Sequence, residues 1–340
     1  MYTSRKFNPL RLVRLSIMTI LLLLIYSTIV TYLYVYFHFQ WLKIPWMPLS
    51  LIGIAVAFYV GFKNNSAYDR TWEARKVWGG IVNSSRSWGI MVKGFVTDEF
   101  HKLDISQSEI YKIRKRLIYR QIAWLYRLKR QLRLLKVWEH NKKINKGYRK
   151  LIDSQFPTET PEIELQNFLA DHEVQKILTS ANGCSQILRI QAEDLRELKK
   201  EGFIDDFRHM EMQGSLTALF ALQGKCERIK NFPLPRQYAT LSVYFIYMFI
   251  SLLPMGLLSA FSDTNFSESM IWGVVPFTIL VGWVFWMMES VGDYAENPFE
   301  NLAFDTPMTS LTRTIEIDLR EMLDEKNLPQ PILPKNNIIM

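Results

Sequence analysis

Reactive and metal-binding residues are the features that this sequence has least of. Its 340 residues include two cysteines, Cys184 and Cys226, whose spacing matches no zinc or redox motif. Both are expected in the cytoplasm, so we predict no structural disulfide. The five histidines form no pair at the helical spacing of metal ligands, and no phosphate-binding glycine loop or nucleophile elbow is present. We therefore predict no catalytic residue, no metal and no cofactor, which argues against an enzyme.

Charge is absent from four long stretches. Each has about 19 or more residues, the length that a helix needs to cross ~30 Å of hydrocarbon. The alternative is a set of buried core helices in a soluble protein, but such helices are usually shorter. We predict four transmembrane helices at residues 15–37, 44–62, 237–262 and 269–288.

The basic residues predict how the chain sits in a cell membrane. Four of them precede the first apolar run, as in a signal peptide, but the run is too long and no cleavage site follows, so we expect a retained helix. Of the 41 lysines and arginines, 32 lie between positions 63 and 236. That asymmetry places both termini and the central region in the cytoplasm. The net charge of +8 suits an anionic inner leaflet and requires no nucleic acid.

Helical periodicity extends through the rest of the chain, and no alternating strand pattern is present. The second membrane helix is expected to continue past Phe62, because no helix breaker follows it. Further helices are predicted at about 68–96, 107–139, 162–182, 184–201, 204–230 and 310–326, with an extended or disordered end at 329–340. The predicted fold class is an all-α membrane protein. Its parts outside the membrane are a cytoplasmic segment at 1–14, a helical cytoplasmic region at 63–236 and a cytoplasmic segment at 289–340.

A basic run from Arg114 to Arg133 occupies one of these predicted helices. Nucleic-acid binding or a voltage sensor would use such a run, but a voltage sensor needs its arginines inside an apolar membrane segment. We favour a solvated helix face attracted to anionic lipid. An apolar stripe predicts the buried face of the same helix: Leu117, Trp124, Leu128, Leu132 and Leu135.

The membrane segments lack ionisable side chains, which argues against transport through a charged relay. A pore closed by an apolar constriction remains open, because such gates work by dewetting. In the second helix Ile54, Phe58 and Phe62 recur every four residues and lie nearly on one line. Gly53 and Gly61 would allow neighbouring helices to approach. On spacing alone, a lipid-facing or packing role for the line is the stronger alternative.

Three blocks of residues follow one another along the chain. The first block is Gly61-Phe62-Lys63-Asn64-Asn65 with Tyr68, Arg70, Trp72-Glu73-Ala74-Arg75 and Trp78-Gly79; the second is Cys226-Glu227-Arg228-Ile229 with Pro233-Leu234-Pro235 and Tyr238; the third is Glu296-Asn297-Pro298-Phe299 with Thr314-Ile315-Glu316-Ile317-Asp318-Leu319. In this order the blocks resemble the bestrophin family, specifically its bacterial branch. They cover most of the sequence, and the part with least resemblance is 110–161.

This resemblance implies a homopentameric ion channel in which the second helix of each subunit lines an apolar neck around a central pore. The neck residues would be Ile54, Phe58 and Phe62, and the resemblance reverses the preference in favour of the pore. A second constriction is implied at the cytoplasmic end, on the helix before the Pro-x-Pro stop, where Ile204 is the best match. Animal members hold calcium with an acidic cluster after Asn-Pro-Phe. Here 302–304 supply no side-chain oxygen, so we predict no such site.

The sign of the permeant ion stays open at this point. Apolar rings carry no charge, and the mouth after Phe62 carries Lys63, Asp69, Arg70 and Glu73, which nearly cancel. The family includes chloride channels and bacterial members that pass sodium. We predict a channel for small monovalent ions with chloride named first, and with membrane lipids as the other partners. The alternatives are a sodium-permeable channel, a carrier, and a membrane-anchored scaffold or signalling protein.

Overall fold

The structure is a computed structural model that describes the backbone of residues 1–6, 9–140, 143–157, 159–263 and 268–340. Side chains are described in these ranges except at 9–11, 14–15, 143–144 and 268–269. Most of the predicted loop at 263–268 therefore lies outside the described residues, as do parts of the predicted segments 1–14 and 63–236.

Helices form nearly all of the regular structure within the described ranges, and no strand longer than an isolated bridge occurs there. The prediction of an all-α protein is confirmed. The helices are α1 Pro9–Phe37, α2 Trp46–Phe95, α3 Gln107–Arg133, α4 Lys143–Gln155, α5 Pro161–Gln166, α6 Asp171–Leu178, α7 Gly183–Glu201, α8 Asp206–Asn231, α9 Arg236–Ser262, α10 Val274–Ala295 and α11 Met308–Glu321. Short 3-10 turns lie at Gln40–Leu42 and Glu268–Gly273.

Four of these helices, α1, α2, α9 and α10, are long and apolar enough to cross a membrane, which confirms the predicted number. They belong to one compact unit, the membrane unit, made of Ser4–Arg70 and Pro233–Asn297. Its core is apolar, and two of its buried hydroxyls bond to nearby groups: Trp283 Nε1 donates to Ser16 Oγ over 2.8 Å, and Ser27 Oγ donates to the Leu23 carbonyl over 2.7 Å.

Helix α2 is continuous for 50 residues, as the absence of a breaker after Phe62 predicted. Pro48 lies in its first turn, where a missing backbone N–H costs no hydrogen bond. The helix leaves the membrane unit after Arg70 and continues into the second compact unit. One helix therefore carries both the apolar line and the polar residues that follow it.

The second unit, the extramembrane unit, comprises Met1–Thr3, Thr71–Phe232 and Pro298–Met340. Its core surrounds α3, whose predicted stripe is buried at Leu117, Trp124, Leu128 and Leu132. The prediction is wrong for Leu135, which is exposed, because α3 ends at Arg133.

Two further differences concern helix boundaries in this unit. The single helix predicted at 162–182 is divided into α5 and α6, since the backbone turns at 167–170 and a new first turn opens with Asp171 and Glu173. Helix α4 was not predicted; its residues lie in the part of the chain with the least family resemblance.

The C-terminal end was predicted to be extended or disordered. It is extended and packs against other parts of the extramembrane unit. The Thr3 N–H donates to the Asn337 carbonyl over 2.9 Å, and Ile338 and Met340 are buried with Ile152 and Phe156. Both ends of the chain are therefore held within the extramembrane unit.

Candidate functional site

Helix α2 has two distinct faces within the membrane unit. Leu49, Val56 and Val60 lie in the core of the unit. Ile54, Phe58 and Phe62 are 55%, 65% and 63% exposed, although they are among the largest apolar side chains on the helix. The predicted line is thus an unpartnered apolar face of the chain.

A buried ion pair fixes the opposite face of α2. Lys63 is 1% exposed, and its Nζ donates to Glu289 on α10. The Ser242 hydroxyl on α9 donates to the other oxygen of the same carboxylate. A charge in apolar surroundings persists when it is paired and hydrogen-bonded. This arrangement ties three helices together and turns Phe62 outward.

Glu289 was not predicted as a functional residue, because the predicted fourth membrane segment ended one residue earlier, at Met288. The signal that could have indicated Glu289 was Lys63. A lysine directly after an apolar run needs a counter-charge if its side chain is buried. The expectation that Lys63 contributes to the charge balance of the mouth is wrong, since its side chain is buried and paired.

Asn64 provides a second attachment to α10. Its Nδ2 donates to the Met288 carbonyl over 2.7 Å, and a side chain at Gly292 would collide with the Asn64 amide. Nearly two turns beyond Asn64 on α2, Arg70 Nε donates to the Glu296 carbonyl over 2.9 Å. The block after the apolar line is therefore an anchor that orients α2.

The two glycines predicted for helix packing differ. A Cβ at Gly53 would lie 2.7 Å from Phe249 Cε2 on α9, so this glycine allows a close helix contact. At Gly61 a Cβ would meet nothing within 4 Å in the described part of the chain. Gly61 therefore has no packing role within one subunit.

The structure corrects the assignment of Ile204. Its side chain is 1% exposed and lies in the core of the extramembrane unit, so it lines no opening. The cause is the end of α7 at Gly202, whose φ of 87° reverses the chain and turns Phe203 and Ile204 inward. Asp205 then caps α8 by accepting from the Arg208 N–H over 2.8 Å. The next apolar residue, Phe207, is 87% exposed on that helix.

The loop after Asn-Pro-Phe does not fit a calcium ion. Asp305 is buried and accepts backbone N–H groups of Phe299, Asn301 and Thr306 at 2.8, 2.9 and 2.6 Å. Two of these groups belong to residues with positive φ, so the carboxylate holds the strained turn. Burial raises the pKa of the Asp305 carboxyl, and these N–H donors act against that rise.

The carboxylate of Glu300, the second acidic side chain of the loop, is also already paired. Its Oε2 is 3.0 Å from Arg149 Nη2 and 2.9 Å from His140 Nδ1. Hard cations require several free oxygens. Within the described ranges, no group of three or more acidic, histidine or cysteine side chains is arranged to hold a metal.

The basic run on α3 is a solvated face only in part, which corrects that expectation. Arg120 is buried between Glu173 and Asp194, at 2.8 and 2.7 Å, and Lys129 is buried against Glu164 at 2.9 Å. Burial lowers the pKa of Lys129 to about 8, and Glu164 acts against that fall. These charges hold the extramembrane unit together.

Both cysteines are free and buried, as the prediction of no disulfide requires. Burial raises the pKa of both thiols, so neither is a reactive thiolate.

Comparisons with known proteins agree with this architecture. Relatives include the voltage-dependent anion channel-forming protein YneE of Escherichia coli (strain K12), 27% identical over 316 residues, or 93% of this chain and 89% of the relative. A voltage-dependent anion channel-forming protein of Mesorhizobium japonicum is 26% identical over 287 residues, covering 84% of this chain and 77% of that protein.

The fold is similar to that of solved bestrophin homologues. The crystal structure of a bacterial bestrophin homologue from Klebsiella pneumoniae aligns with a TM-score of 0.75 and 23% identity over 92% of this chain and 99% of that one. The sequence model of the family described as Bacterial/Fungal Bestrophin protein matches residues 7–321. This chain therefore belongs to the bacterial and fungal bestrophin family.

Proposed function

We propose that this chain assembles as a homopentamer in the cell membrane and conducts small monovalent ions along an axis lined by α2. The observation that carries the proposal is the exposed line of Ile54, Phe58 and Phe62 on a helix whose other face is fixed by the buried Lys63–Glu289 pair. Copies of this line around an axis would make three apolar rings. Such rings close a pore by excluding water, and small changes in width open it.

Chloride is the first ion to test, because two relatives bear names that describe anion channel formation. The excess of lysine and arginine in 63–236 supports an orientation with both termini in the cytoplasm. We place the second constriction at Phe207 instead of Ile204, because an aperture needs an exposed apolar side chain on α8.

Planar-bilayer recordings of the purified protein test the proposal. Wild type should show unitary conductance, and Phe58→Ala and Phe62→Ala should raise it or the open probability, because each removes part of the apolar barrier. The matched control is Phe277→Ala, which removes a half-exposed phenylalanine of the membrane unit on α10 and should change neither.

Three outcomes would overturn the proposal. Wild type without unitary steps excludes a channel, and saturating flux without steps indicates a carrier. If Phe58→Ala and Phe62→Ala leave the conductance and open probability unchanged, as Phe277→Ala should, then α2 does not line the pore. A native mass that does not correspond to five subunits would contradict the assembly.

A further inference from the structure

The exposed face of α2 changes chemistry immediately after Phe62. Successive residues of an α-helix are about 100° apart, so positions 65 and 69 return to within roughly a quarter turn of the line 54, 58, 62. The structure agrees, since Asn65 and Asp69 are both exposed. Asp69 is seven residues beyond Phe62, or ~10 Å along the helix axis.

The basic residues beside Asp69 lie on the other side of the helix. Of the three charged residues between positions 54 and 70, Lys63 is buried against Glu289 and Arg70 donates to the Glu296 carbonyl. The Glu296 carboxylate is itself paired with Arg236 over 2.9 Å. Between positions 54 and 70, the tertiary contacts therefore remove the positive charges from the exposed face and leave the negative one there; the exposed Lys76 lies about two turns beyond Asp69.

Asp69 has no counter-charge of its own. Throughout the described ranges its carboxylate makes no hydrogen bond or ion pair, whereas Lys63 and Arg70 both have partners within the membrane unit. An exposed carboxylate without a partner stays hydrated, and no neighbouring cation offsets its charge. Its field is therefore available to ions that pass the end of the apolar line.

We infer that Asp69 determines the charge preference of the conduction path, by attracting small cations and opposing anions where the apolar neck ends. This inference rests on the proposed function, in which five copies of the residue form a ring. Rings of aspartate or glutamate favour cations in channel mouths. The screening length at physiological salt is ~8 Å, so the ring acts mainly at its own level, and its field is weakened at Phe62, ~10 Å away.

The same geometry explains why the charge count of the sequence was uninformative. Lys63 and Asp69 cancel in the sequence, but only Asp69 faces the proposed axis. The negative charge of the ring repels chloride and lowers any chloride current through the channel. Removal of the ring would therefore increase that current.

Reversal potentials in a sodium chloride gradient test the inference. Asp69→Asn should raise the chloride-to-sodium permeability ratio by about threefold or more, since it removes one charge per subunit from the pore mouth. Asp69→Glu keeps the charge and should retain the wild-type ratio. Asp104→Asn is the matched control, because it removes an exposed carboxylate from a loop of the extramembrane unit and should have no effect.

Wild type alone provides a second measurement in case the variants fail to assemble. The preference for cations that the ring supplies should weaken as salt is raised from about 0.1 M to about 1 M, because the ring is screened. A ratio that does not change with salt, or an Asp69→Asn ratio equal to that of wild type, would overturn the inference and leave the channel proposal standing. A wild type without conductance would overturn the channel proposal itself.

Discussion

Lys63 and Glu289 form a buried ion pair between α2 and α10 in the membrane unit. The pair decides which side of α2 faces its own subunit and which side remains exposed. Residues far apart in the sequence are therefore required for the orientation of the proposed neck.

Removal of one member of this pair should be strongly destabilising. Glu289→Gln leaves the Lys63 charge buried without a partner, which should cost roughly 3–5 kcal/mol of unfolding free energy. Thermal unfolding in detergent measures the effect. The control is Asp263→Asn, which breaks the exposed Lys43–Asp263 pair and should cost about 0–1 kcal/mol. Equal effects of the two variants would contradict a structural role of the buried pair.

Gly292→Ala should also destabilise the membrane unit. The new methyl group would collide with the Asn64 side chain, and overpacking of this kind costs roughly 1–3 kcal/mol. Gly224→Ala on α8, where a Cβ meets nothing within 4 Å, is the control and should be neutral or stabilising. A similar loss of stability in both variants would show that the collision with Asn64 is not responsible, because the exchange of glycine for alanine by itself favours a helix.

Gly61→Ala should leave the stability of the single subunit unchanged, because no described atom of the chain lies within 4 Å of the new methyl group. The sequence predicted close approach of a neighbouring helix at Gly61; if that helix belongs to another subunit, the variant should lower the fraction of assembled oligomer. Native mass spectrometry separates the two results.

Calcium at micromolar concentration should not alter the conductance. The oxygens of Glu300 are bound by Arg149 and His140, and those of Asp305 by backbone N–H groups. Bilayer recordings with and without a chelator provide the measurement. Asp305→Asn should lower stability equally in both conditions, whereas calcium-dependent gating would contradict our description of the loop.

The unfolding free energy of the extramembrane unit should rise with pH as Lys129 loses its proton. The folded group loses its proton near pH 8 and the unfolded group near 10.5, so between these values the unfolded chain binds more protons. Rising pH therefore favours the folded state. The unfolding free energy of wild type relative to Lys129→Met should increase by roughly 1–3 kcal/mol across this range. A constant or falling difference would contradict the lowered pKa.

Several features were predictable because they depend on local pattern. The four membrane helices follow from length and absence of charge, and the continuity of α2 follows from the lack of a breaker. The neck residues Ile54, Phe58 and Phe62 were chosen from their spacing and the family resemblance, and the structure places them on one exposed face. Their role in conduction stays a prediction.

Other features were wrong because they depend on distant partners. Ile204 was chosen by register, yet the turn at Gly202 buries it. The basic run of α3 was taken as solvated, yet Glu164, Glu173 and Asp194 arrive from other helices to pair with it. A charge pattern along one helix does not show which charges its neighbours neutralise.

The sequence by itself determined the number of membrane helices, their predicted orientation and the apolar line on α2, because hydrophobic length and helical periodicity are local properties. Only the tertiary structure decided which charges accompany that line. Lys63 and Asp69 are six residues apart and cancel in any count, but Glu289 draws Lys63 into the core while Asp69 remains exposed. The cost of burying an unpaired charge makes this choice, and it depends on where the counter-charge lies in space.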